Sequence, residues 1–87
     1  MTKFDKKLHH LKSRPTPKDF KWTDLETIFK ALGFEKIEGD GSRVKFFHEE
    51  KGVTANFHKP HPRPYLKAYA VRQALAFLIE NGYIDND

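Results

Sequence analysis

Cysteine is absent from all 87 positions, which excludes a disulfide framework and every thiolate metal site. That composition suits a reducing compartment, and the expected location is cytoplasmic. Long apolar runs are missing too: nothing approaches the roughly 20 residues of a membrane-spanning helix. Met1-Thr2-Lys3-Phe4-Asp5 lacks the apolar stretch of a secretory signal. No internal repeat, linker or low-complexity tract interrupts the chain. Hydrophobic residues make up 38%. In a chain this short they suffice for one core and leave little for an enclosed small-molecule pocket, so no small-molecule cofactor is expected.

A more local absence is informative. From Lys51 to Ile79 there is no acidic residue, while Lys51, Lys59, Arg63, Lys67 and Arg72 all fall in that interval. The first eighteen residues carry six basic side chains against one acid, Asp5. The net charge is +4, but its clustering says more than its size. A concentrated positive field points to an anionic partner, nucleic acid or an acidic protein.

The apolar pattern gives the elements. Phe4, Leu8 and Leu11 recur at helical spacing, so Thr2–Lys12 is expected to be a short amphipathic helix, or else an arm, before the breaker Ser13-Arg14-Pro15-Thr16-Pro17. Leu25, Ile28, Phe29 and Leu32 form the stripe of a helix over Trp22–Leu32. Thr23 and Glu26 have capping-box spacing at its start, and Gly33 closes it. Three strands follow, at Glu35–Glu38, Arg43–His48 and Val53–His58. They are joined by Gly39-Asp40-Gly41 and by Glu49-Glu50-Lys51-Gly52. In the second strand Val44 and Phe46 alternate with Arg43, Lys45 and Phe47. In the third, Val53, Ala55 and Phe57 alternate with Thr54, Asn56 and His58. One sheet face is therefore apolar and the other mostly polar. Pro60, Pro62 and Pro64 impose an extended loop. A last helix over Lys67–Asn81 buries Val71, Leu75, Leu78 and Ile79 and ends at Gly82. The reading is α+β in the order α-β-β-β-α: an antiparallel three-stranded sheet, two helices on one face, and an optional N-terminal helix. Residues 1–19 form the arm or short helix and 20–87 the single domain.

Two stretches carry chemistry. Gly39-Asp40-Gly41-Ser42 joins strands rather than a strand and a helix, so it is no nucleotide-binding loop. The strand it opens places Arg43 and Lys45 on one face, spaced to meet successive phosphates. Phe57-His58-Lys59-Pro60-His61-Pro62 ends the third strand in two histidines. A proline between them and the end of the strand disfavour a metal site, so no metal is expected. Histidine exchanges protons near neutrality and serves as a general acid or base. A structural role in holding the loop is the alternative for each. Arg63, Lys67 and Arg72 extend the positive surface, and Tyr65 and Tyr69 stand where they can pack or stack on bases.

In Leu32-Gly33-Phe34, the Gly41-Ser42 turn opening the second strand, a histidine closing the third strand and the ending Asn81-Gly82-Tyr83-Ile84, the chain resembles HicA-type toxins of bacterial toxin–antitoxin systems. The Phe-His-Lys-Pro-His-Pro stretch resembles a sub-group of them. The resemblance spans about Trp22 to Ile84. It implies a double-stranded-RNA-binding-like fold, ribosome-independent cleavage of mRNA, and neutralisation by a HicB-type antitoxin. The histidine that usually follows the Gly-Ser pair is replaced here by Arg43 and Val44, and His61 matches a histidine often found after the third strand. The expected site is thus His61, His58 and Arg43 for catalysis, with Ser42, Lys45, Lys59, Arg63, Lys67 and Arg72 binding RNA. The alternative is a non-catalytic module that binds RNA or the antitoxin.

Overall fold

A computed structural model describes residues 3–85; Thr2, at the expected start of the first helix, and the final residues 86–87 lie outside that range. The elements run α1 (Lys3–Leu11), α2 (Trp22–Ala31), β1 (Glu35–Glu38), β2 (Arg43–His48), β3 (Val53–His58) and α3 (Ala68–Glu80). The sheet is antiparallel in the order β1-β2-β3. The α-β-β-β-α order and the open sheet agree with the double-stranded-RNA-binding-like architecture expected from the sequence.

The strand alternation translates directly into burial. Val44, Phe46, Ala55 and Phe57 are buried, while Arg43, Lys45, Thr54, Asn56 and His58 are exposed on the other face. Phe29 is the hub of the core. Its ring stacks on Phe46 at 4.6 Å between centroids and meets Phe34 edge-on at 4.8 Å. Each such ring removed from water stabilises the fold by about 1.5–3 kcal/mol, and offset or edge-on pairing adds to that.

α2 starts at Trp22, as expected, but its cap differs from the expectation. Its N-cap is Lys21, with no side-chain cap, so the Thr23–Glu26 capping box does not form. The backbone explains why: Trp22 N donates to Pro64 O at 2.9 Å, and Leu66 N donates to Phe20 O at 2.8 Å. These bonds begin the helix one residue before Thr23. Glu26 is instead drawn towards the sheet, where Lys36 Nζ lies 2.5 Å from its Oε2. That hydrogen bond and charge, reinforced by Glu38, outweigh burial and hold the Lys36 ammonium above its ordinary pKa of 10.5.

The buried stripe of α3 is also rotated from the expectation. Ala70, Val71, Ala74 and Leu78 are buried, whereas Leu75 and Ile79 are half-buried. Two alanines on the inner face allow this helix to approach the sheet closely.

α1 packs on the core through Leu11, which is 1% exposed, with Phe4 and Leu8 against it. Lys7 Nζ reaches Asp24 Oδ1 on α2 at 2.6 Å. His9 is exposed, but His10 is not simply a surface histidine. It lies 2.9 Å from Asp19 and its ring stands 5.2 Å from Phe20.

Candidate active site

The open face of the sheet carries the polar pairs that the register dictates. Arg43 stands opposite His58, Lys45 opposite Asn56, and Phe47 opposite Thr54. Directly opposed residues on one face of an antiparallel pair have their Cβ atoms about 4.5–5.5 Å apart. The Arg43 guanidinium and the His58 imidazole therefore rise from neighbouring points. Ser42 closes the group: its Oγ is 3.5 Å from His58 Nδ1, and its carbonyl accepts a 2.7 Å bond from Lys59 N.

Two concavities meet at His58. One, of about 540 Å³, lies over the end of the sheet and is lined by Ile37, Asp40, Arg43, Lys45, Asn56 and His58, among others. The other, of about 200 Å³, lies between the proline loop and the start of α3. Its lining includes His58, Lys59, His61, Lys67 and Tyr69. The two histidines thus share a groove, although two residues and a strand end separate them in sequence.

The loop that makes this groove is held at both ends. Lys59 is bonded to Ser42 on one side, and Pro64 and Leu66 are bonded to residues 20–22 on the other. Those anchors and the fixed φ of its prolines limit the conformations open to it.

The remaining expected residues are distributed unevenly. Arg63 is exposed on the loop but lines neither concavity. Arg72, one turn into α3, lines a separate groove against Leu11–Thr16. Ile37, Asp40 and Asn56 join the site without having been singled out in the sequence. For Asn56 the signal was present: it holds a polar-face position directly across from Lys45.

An antiparallel three-stranded sheet, helical on one face and basic on the other, with histidines at a strand end, defines a small α+β domain of double-stranded-RNA-binding-like architecture. The family model described as "HicA toxin of bacterial toxin-antitoxin" matches residues 22–78, from the first residue of α2 to the last buried residue of α3. The chain belongs to the HicA toxin family. No curated protein matches it, and no solved structure matches it.

Proposed function

We propose that this HicA-family protein is a metal-independent endoribonuclease that cleaves mRNA and is silenced by a HicB-type antitoxin. The observation that carries this reading is the Arg43–His58 register. The Gly-Ser pair is followed by Arg43 rather than a histidine, yet the neighbouring strand supplies an imidazole at the adjoining position. An imidazole and a fixed cation therefore stand side by side on the open sheet face.

The chemistry is transfer of the RNA phosphodiester to its own 2′-hydroxyl. One imidazole takes the 2′-hydroxyl proton as the 2′-oxygen forms its bond to phosphorus. The bond from phosphorus to the 5′-oxygen breaks, and the second imidazole protonates that oxygen. The products are a 2′,3′-cyclic phosphate and a 5′-hydroxyl. His58 is suited to the base role: in the tautomer that donates from Nδ1 to Ser42 Oγ, 3.5 Å away, Nε2 is left to accept the proton. His61, across the groove, is suited to the acid role. Arg43 stabilises charge developing on the non-bridging oxygens. Lys45, Lys59 and Lys67 hold flanking phosphates, with Arg63 further out on the loop. Arg72 lines a separate groove and stands apart from this set.

The antitoxin is expected to present acidic groups to the same face, since one positive surface serves both partners. The test is cleavage of purified RNA in the presence of EDTA. Products ending in cyclic phosphate support the reading, and intact RNA after prolonged incubation with the wild-type protein refutes it.

A further inference from the structure

The smaller groove holds more than proton-transfer groups. Tyr69 is 58% exposed, more than any other large hydrophobic side chain among the described residues, and it lines this groove together with His58, His61, Lys59 and Lys67. It stands near the first turn of α3, on a helix whose other aromatic, Phe77, packs on the core. Leaving a tyrosine ring in water beside four basic or imidazole side chains forgoes its burial, and nothing in the fold requires that exposure. Ala70, next to it, supplies the core contact.

We infer that this groove is a subsite for a single unpaired nucleotide, with Tyr69 as the stacking platform for its base, so that the substrate class is single-stranded rather than duplex RNA. The inference rests on the RNA-cleaving reading of the same site and specifies which RNA it takes. Size supports it. About 200 Å³ is below the roughly 300–1,000 Å³ of pockets for drug-sized ligands and has room for one flat ring. Chemistry supports it as well. An exposed aromatic among cations is how proteins hold unpaired bases while tracking their phosphates. Duplex RNA, by contrast, is read through its backbone and 2′-hydroxyls without aromatic stacking. Position completes the argument. Lys59 and Lys67, which would hold the nucleotide's phosphate, and His58 and His61, which would act on the adjoining ribose, line the same groove as Tyr69.

The test is equilibrium binding of 2′-O-methyl oligoribonucleotides, which cannot undergo 2′-hydroxyl attack, in single-stranded and duplex form across a salt series. The wild-type protein is expected to bind the single strand more tightly than the duplex. Tyr69→Ala weakens the single strand roughly 5- to 150-fold, the loss of one stacked base, while Tyr69→Phe retains binding. The slope of log affinity against log salt stays unchanged in Tyr69→Ala and falls by about 1 in Lys67→Ala. Equal binding of single strand by wild type and Tyr69→Ala, or duplex bound as tightly as single strand, overturns the subsite. Tyr69-dependent binding without cleavage of ordinary RNA refutes the enzymatic reading alone. Cleavage with Tyr69-independent binding refutes the subsite alone.

Discussion

Arg43 and His58 face each other across β2 and β3 on the exposed side of the sheet, with Ser42 Oγ 3.5 Å from the imidazole. A fixed cation and a proton-transfer group are thereby held together by a strand register that cannot slip. A one-residue shift would carry the buried Val44, Phe46, Ala55 and Phe57 to the solvent side.

If these two residues act on one phosphate, their substitutions are not independent. Arg43→Ala and His58→Ala are each expected to slow RNA cleavage at least 100-fold, consistent with the roughly 10²–10⁴-fold worth of a positioned acid or base. The double variant is expected to be little slower than the worse single one. Rate measurements over this double-mutant cycle check the coupling; strictly multiplicative losses would separate the two residues functionally.

Phe29 supports the sheet from the opposite side. It is fully buried and in ring contact with Phe34, Phe46, Phe57 and Phe77. Phe29→Ala is expected to destabilise the protein by about 3–5 kcal/mol, read as a lower urea midpoint. A smaller loss would mean that neighbouring rings collapse into the space.

The Glu26–Lys36 pair predicts an alkaline signature. The folded state raises the Lys36 pKa above 10.5, chiefly through its hydrogen bond to Glu26. The stabilisation is therefore complete below pH 10.5 and lost as pH climbs through the raised folded value. The difference in unfolding free energy between wild type and Glu26→Gln is expected to be about 1 kcal/mol or less near neutrality, as befits a partly exposed pair. It should shrink above pH 10.5. Tyr83 titrates in the same sense, its pKa raised first by burial and then by Glu50, so the comparison of variants is needed to isolate Lys36.

Two glycines with positive φ separate conformation from space. At Gly33, φ is +97° and an added Cβ would stand 3.1 Å from His48 Nε2; at Gly52, φ is +66° with nothing within 4 Å. Gly52→Ala is expected to cost about 1–2 kcal/mol for the left-handed backbone alone. Gly33→Ala is expected to cost more, because His48 must also move. Thermal denaturation of both variants checks the order; the reverse order would show that His48 yields freely.

The three strands were legible to the residue because each is a short alternating run between turns that demand glycine or a tight polar loop. The capping of α2 was not, because its first amide is satisfied by Pro64, forty-two residues downstream, and no local spacing encodes such a bond. The rotation of α3 was hidden for a similar reason. Alanines read as neutral in a hydrophobic stripe, yet Ala70 and Ala74 are the positions where close approach to the sheet is possible. At the site, the basic strand and the two histidines were visible as residue types. The shared groove of His58 and His61 was not, since it depends on the loop being pinned to residues 20–22. Arg72 looked continuous with the basic run but lines another groove, because a helical turn carries it away from the loop.

The central claim is most directly tested by cleavage of a single-stranded RNA in EDTA by the purified wild-type protein and its His58→Ala/His61→Ala variant, with RNA binding measured alongside. The account predicts that the wild type cleaves, and that the variant is slowed by at least 100-fold while still binding RNA through its unchanged lysines. Cleavage at the wild-type rate by the double variant would contradict it.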